Sequence, residues 1–301
     1  MALQDNSQIR YTAAGIIRDV FAGNSPVYQP VNRIKCSLKS MLILFFMITS
    51  STLFAQETNE ELAKIAQNPL GNILSFPFQN NTSFNYGPYQ RVQDILNIQP
   101  IIPFFNGRLI TRTIIPLQWQ PQNAPSGTVF GLSDIQFAAV YSPNTKGFMI
   151  GVGPIASFPT GSAMLGSQKW SAGPCIVLLA MPGHWVFGVL ANNLWSFAGN
   201  SDRTDVNQML IQYFVNYNIV KGLYITMAPI ITANWEAQAG QQWLVPFGLG
   251  VGKVFRIGGK LPLNMQVAGF YNAIRPDYAP DWTLRIQAQV MLPTYIFKKK
   301  K

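Results

Sequence analysis

From about residue 73 onward the chain alternates apolar and polar residues with a period of two, in segments set apart by turns. The run Leu223-Tyr224-Ile225-Thr226-Met227-Ala228-Pro229-Ile230-Ile231-Thr232-Ala233-Asn234-Trp235 is the cleanest. Its odd positions are almost wholly apolar, and its even ones mix Tyr, Thr and Asn with small or aliphatic residues. A period of two describes a strand whose faces meet two different environments. The run is longer than the roughly 9 to 11 residues a tilted strand needs to cross a bilayer. Twelve such segments are predicted, at 73–86, 92–103, 107–120, 132–142, 147–159, 169–181, 184–198, 206–219, 222–235, 242–254, 263–273 and 281–297. An even number of antiparallel strands can close into a cylinder without free edges, which hydrocarbon demands of any sheet. The predicted fold is all-β, a transmembrane antiparallel up-and-down β-barrel.

The linkers give the barrel a direction. After even-numbered segments they are mostly tight, as at Phe104-Phe105-Asn106, Pro143-Asn144-Thr145-Lys146, Gly183 and Val220-Lys221. After odd-numbered ones they are longer and more polar, at 121–131, 160–168, 199–205 and 274–280. The exception is 255–262, which reads as a longer turn on the short side. Short periplasmic turns and long outer loops mark bacterial outer-membrane barrels. Both termini are therefore expected in the periplasm, with outer-membrane lipid and lipopolysaccharide as surroundings. Tryptophan tests this register independently, because indole prefers the membrane interface. Trp119, Trp195 and Trp235 close upward strands, and Trp170, Trp243 and Trp282 open downward ones. Trp185 falls at the opposite rim, near Phe104, Tyr141, Phe148, Tyr217 and Tyr224. A soluble sandwich would have placed its indoles mid-strand.

Parity assigns the faces. Leu223, Ile225, Met227 and Ile231 point outward, as do Ile211, Tyr213, Val215 and Tyr217. Inward come Asn97, Gln99, Gln208, Gln212, Asn216, Asn264, Gln266, Gln287 and Gln289. Arg108, Arg112 and Arg285 share the inward parity, since a charge facing lipid at mid-bilayer costs about 2–4 kcal/mol. With Asp134 and Lys169 they are candidates to line a constriction selecting anionic or polar solutes. A sealing network of ion pairs and hydrogen bonds is the alternative. Gly151, Gly153, Gly248, Gly250 and Gly252 also point inward and are expected to leave space for a conduit or a plug.

Composition sharpens the class. Only 11% of the 301 residues are charged, and 24 Gly and 21 Pro suit many turns. The formal charge of +10 is concentrated at the ends. Between residues 56 and 297 the balance is 13 Lys/Arg against 10 Asp/Glu, with no basic face interleaved with aromatics, which argues against nucleic acid. Arg33, Lys35 and Lys39 precede the apolar run Met41 to Phe54, and Ala55 then meets polar residues. That is the layout of a signal peptide over 33–55, too short to span a bilayer as a helix. Residues 1–32 read as an unstructured extension, 56–71 as a periplasmic segment with a short helix, 72–297 as the barrel and 298–301 as a basic tail. The segment Asn59 to Gly71 is expected to fold toward the periplasmic mouth and partly block it. Cys36 lies in the signal, so Cys175 stands alone and neither a disulfide nor a thiolate metal site is expected.

No catalytic constellation is legible. A barrel lipid hydrolase needs a base beside its nucleophile, and the single histidine, His184, reads as a turn residue after Pro182-Gly183. Asp202, Asp205, Asp277 and Asp281 fall in outer loops, as solvated charge or as contacts for a divalent cation or lipopolysaccharide. Gly248-Leu249-Gly250-Val251-Gly252 has no helix after it and reads as barrel glycine rather than a phosphate loop. No cofactor and no metal are implied.

The stretch from Asn68 to Asn81, with Leu96 to Pro103, Arg112-Thr113-Ile114-Ile115-Pro116 and Gly131-Leu132-Ser133-Asp134-Ile135, resembles a family of bacterial outer-membrane proteins. Its members are described as transporters associated with the meta-cleavage pathway of phenol degradation, and some carry the mistaken label neuromedin U. The resemblance implies an outer-membrane barrel that passes small compounds, aromatic ones among them, and carries over no catalytic or binding residues. The sequence reading is thus passive transport of a small-molecule solute through the lumen. A closed structural or surface-binding barrel is the rival, and a barrel lipid hydrolase the remote one. Oligomeric state is not legible.

Overall fold

The computed structural model describes residues 58–144 and 146–292. The expected signal peptide, the extension before it and the basic tail lie outside these residues. A short helix, α1 (Asn59–Ala66), leads into strands β1 (Leu74–Tyr86), β2 (Arg91–Ile98), β3 (Ile101–Phe104), β4 (Leu109–Pro121), β5 (Thr128–Leu132), β6 (Ile135–Tyr141), β7 (Met149–Phe158) and β8 (Lys169–Ala180). Then follow β9 (Trp185–Gly199), β10 (Asn207–Asn218), β11 (Leu223–Met227), β12 (Ile230–Asn234), β13 (Trp243–Ile257), β14 (Leu261–Ile274) and β15 (Trp282–Leu292).

These segments form twelve wall staves, because three staves are interrupted once each. β2 and β3 are one stave broken at Gln99-Pro100, and β11 and β12 one broken at Ala228-Pro229. In both cases proline lacks the N–H that the ladder needs. β5 and β6 are broken at Ser133-Asp134, where the Asp134 side chain turns to a loop. Every stave pairs antiparallel with its neighbours, and the ring closes where β1 pairs β15 from Leu74 opposite Leu292 to Phe84 opposite Trp282. The protein is a closed twelve-stave antiparallel β-barrel.

Side-chain alternation follows the expected parity. On β10, Phe214, Asn216 and Asn218 are buried inside, while Val215 and Tyr217 are exposed on the wall. Outward Phe247, Leu249 and Val251 on β13 are likewise exposed. All seven tryptophans are exposed, and five meet another aromatic ring at the rim where the long loops emerge, as in the edge-on Trp235–Trp243 pair at 5.4 Å. Trp185 stands at the opposite rim against Tyr217. Tyr224 departs from the expectation: it is buried inside the barrel, 1% exposed, as its even parity on β11 dictates.

Two linkers differ from the sequence reading. The loop expected at 121–131 is partly strand, because Val129 and Phe130 continue the alternation and Phe130 packs on Trp119 at 4.5 Å. The expected long turn at 255–262 is tight instead. β13 runs to Ile257 and β14 begins at Leu261, joined through Gly258 and Gly259, which both hold positive φ that a side chain would resist.

The inward glycines also have a different cause from the one expected. A Cβ at Gly153, Gly248 or Gly250 would collide with the backbone of the neighbouring stave, as it would at Gly173 and Gly188. They permit close approach of twisted strands rather than free space. Gly151 and Gly252 are the two that make room, for Leu70 and for the Tyr224 ring respectively.

Candidate functional site

The lumen is occupied in three tiers. The lowest, at the short-turn end, is α1. Its start is fixed by a capping box, in which the Glu61 amide donates to Thr58 Oγ1 at 3.2 Å and the Thr58 amide to Glu61 Oε2 at 2.8 Å. The apolar side of the helix, Leu62 and Ala63, is fully buried against Tyr224, Val254, Met291 and Ile73. Its polar residues hold the rim: Glu60 accepts from the Lys221 amide, and Gln67 Nε2 donates to Asn218 Oδ1 at 2.9 Å. Beyond the helix, Asn68 Oδ1 accepts from the Leu70 amide at 2.7 Å, an Asx turn that the residue type favours. The turn drives Leu70 into the barrel, where it is 4% exposed beside Val140 and Gly151.

The middle tier is a polar waist. Arg285 Nε donates to Asn81 Oδ1 at 3.0 Å, and its guanidinium lies 4.7 Å over the Phe270 ring. Its Nη1 donates at 2.9 Å to the carbonyl of Ala228, three staves away. That carbonyl belongs to the break at Pro229, so a long side chain crosses the lumen to satisfy an acceptor the ladder cannot. Tyr224 donates its hydroxyl to Asn264 Oδ1 at 2.8 Å, and Asn264 donates to Gln289 Oε1 at 3.2 Å. Arg112 donates to Gln99 Oε1, while its Nε is buried and without a partner.

The top tier is an inward-folded loop, residues 159–168. Asp134 accepts from the Gly161 amide at 3.0 Å and from the Ser167 amide and hydroxyl at 2.7 and 2.6 Å. Ser133 Oγ donates to the Leu165 carbonyl. The loop thereby turns Leu165 into the barrel mouth, where it is buried. Beside it, Lys169 Nζ donates to Asp205 Oδ1 at 2.9 Å, and Ser196 Oγ to the same oxygen at 3.1 Å.

Between these tiers lie two cavities. One of 140 Å³ separates α1 from the waist and is lined by Arg285 and Gln287 among others. The other, of 480 Å³, lies between the waist and the folded loop. Gln79, Gln99, Ile101, Arg112, Leu190 and Gln212 line both, so Arg112 stands at the passage from one to the other.

The five charged candidates are therefore not one constriction. Arg112 and Arg285 share the waist. Asp134 faces the larger cavity but is committed to the loop, and Lys169 is committed to Asp205. Arg108 has the inward parity but sits one residue before β4, exposed in the turn. Asn97 lines the larger cavity and Gln99 both, as the alternation implies. Leu70, Leu165 and Tyr224 were not among the sequence candidates. Parity alone would have revealed Tyr224; the loop residue Leu165 carries no such signal. His184 is exposed, with its ring 5.9 Å from that of Tyr217 and its carbonyl accepting from Asn218. The loop aspartates are scattered, Asp281 pairing with Arg275 and Asp277 bonding Gln241.

Asp205 lies outside the wall staves. The Lys169 hydrogen bond, then that of Ser196, then the Lys169 charge hold its carboxyl below the usual carboxylate range. A depressed folded pKa means the pair contributes fully above the unfolded value, about 3.9, and is lost only as pH falls through the folded one. In 13C NMR the Asp205 carboxyl is expected to titrate below that value, and Lys169→Met to raise it toward the ordinary range, with the Ser196 bond left in place. An unmoved midpoint in the variant would remove Lys169 as the cause.

Residues 87–269, more than half of the chain, match the family described as "Putative MetA-pathway of phenol degradation". The chain belongs to this family. Among solved structures it is similar to an outer-membrane channel from Pseudomonas putida F1, at 15% identity and a TM-score of 0.52, covering 73% of this chain and 94% of that one. It is also similar to the NanC porin, at 10% identity and a TM-score of 0.49 over 72% and 98% of the two chains. A third likeness is to outer membrane phospholipase A from Escherichia coli, at 12% identity and a TM-score of 0.37, covering 73% and 95%. No curated protein matches. The Pseudomonas likeness bears on fold, and the fold is that of an outer-membrane barrel.

Proposed function

We propose that the protein is a passive channel of the bacterial outer membrane, admitting small solutes through its lumen. The observation that carries this reading is the 480 Å³ cavity inside the barrel, whose lining mixes amides with isoleucine and valine. A packed structural wall would need no such volume, and its size falls within the roughly 300–1,000 Å³ of small-molecule sites. Membership of a family named for phenol degradation favours aromatic compounds among the solutes. Lipid and lipopolysaccharide surround the wall, and α1 and the last described residue, Leu292, lie at the short-turn end, which in this reading faces the periplasm. Liposomes holding the purified chain are expected to swell in phenol-sized neutral solutes faster than empty ones. Equal rates would leave the channel reading without support.

One observation favours a second reading, a closed barrel with a structural role. α1, the Arg285 crossing and the loop over 159–168 each obstruct the lumen. Orientation is separately testable. A protease cutting the 199–205 loop on intact cells, but not the 219–222 turn, is the expected pattern, and the reverse would invert the topology.

A further inference from the structure

We infer that the passage at Arg112 is a binding site for the carboxylate of an amphipathic monocarboxylic acid, whose apolar body occupies the larger cavity. Three observations converge on it. First, the waist holds two guanidinium groups, Arg112 and Arg285, and among the described residues neither forms an ion pair; the pairs are Lys169–Asp205 and Arg275–Asp281, both at the loop end. A charge taken out of bulk water is costly without an anion beside it. Second, the two arginines differ in how far neutral groups compensate them. Arg285 is held by Asn81, the Ala228 carbonyl and the Phe270 face. Arg112 has the Gln99 amide, and its buried Nε bonds nothing. Its side chain faces both cavities, so a solute in the larger one meets an under-compensated cation.

Third, the larger cavity is lined largely by aliphatic side chains, Ile110, Ile114, Ile155 and Val177 among them, with amides such as Asn192 and Gln208 interspersed. An apolar chain or ring fits against these aliphatic side chains. The anion that matches a planar guanidinium is a carboxylate. A neutral alcohol of the same shape would fill the cavity but leave the Arg112 charge as it is.

This site gives a solute class to the channel proposed above and rests on that reading only for its physiological meaning, because binding is measurable without flux. The test uses the purified full barrel and two soluble probes, 4-phenylbutyrate and 4-phenylbutan-1-ol, followed by saturation-transfer NMR and by current block in planar bilayers. The carboxylate is expected to bind saturably and about tenfold or more tightly than the alcohol, the scale of one charge-assisted contact. Arg112→Gln should abolish the preference while keeping the alcohol's affinity, and Arg112→Lys should restore part of it. Equal binding of the two probes by the unaltered protein, or a preference that survives Arg112→Gln, overturns the inference. Should Arg112→Gln fail to fold, the comparison of probes on the unaltered protein decides. Neutral-solute flux without carboxylate preference would leave the channel and remove the site, and saturable carboxylate binding without any flux would do the reverse.

Discussion

Deleting residues 57–71 is expected to leave a folded barrel that carries severalfold more current than the intact chain. The segment contributes no strand, and the ring of staves closes between β1 and β15 without it. What it contributes is volume inside the short-turn mouth, where Leu62 and Ala63 are fully buried and Leu70 fills the hollow left by Gly151. Burying one leucine is worth about 1.5–3 kcal/mol, so stability should fall but not vanish. Single-channel recording in planar bilayers reads the outcome. Leu62→Asp supplies a gentler version, because a carboxylate cannot sit against Tyr224, Val254 and Met291 without unseating the helix. Unchanged conductance in both variants would show that the remaining waist, not α1, limits passage.

Gly173→Val is expected to prevent folding, an effect larger than anything at the lumen surface. A Cβ at this position would run into the Asn193 carbonyl of the adjacent stave, a main-chain atom that cannot rotate away. Overpacking ordinarily costs about 1–3 kcal/mol where side chains can shift. Here β8 and β9 would have to part in mid-wall, and a barrel has no edge at which to absorb that. Gly269→Val is the matched control, since a Cβ there meets nothing within 4 Å. Heat-modifiable mobility in detergent gels separates the two. A folded Gly173→Val barrel would show that the close approach is not required.

The wall was legible in the sequence because its cause is local. Period two follows from the pleat, and lipid on one side against a wet lumen on the other imposes it along every stave. Trp119 and Trp282 were expected at a rim; they lie near the loop ends of β4 and β15, exposed and each against a second aromatic ring. The contents of the lumen were less legible because they depend on reach across the barrel. Parity put Arg108 inside, yet one residue beyond a strand end the parity no longer applies. Arg285 was rightly read as inward, but its partner, a carbonyl freed by Pro229, is a main-chain atom three staves away. Leu165 looked like an outer-loop residue, and the Asp134 carboxylate, gathering amides from both sides of the loop, turns it in together with the Ser133 hydroxyl on its carbonyl. The glycines misled in the opposite sense, since a missing side chain looks the same in sequence whether it yields space or a backbone crossing.

The neighbouring of the first and last strands has a temporal side. Until β15 arrives, β1 has one unsatisfied edge and the enclosed volume does not exist, so no portion of the chain short of residue 292 makes a sealed pore. Contacts spanning two hundred residues must form last and form slowly. Such a polypeptide has to travel to its membrane unclosed, and its seam is the step at which a chaperone or insertion machine would have to hold it.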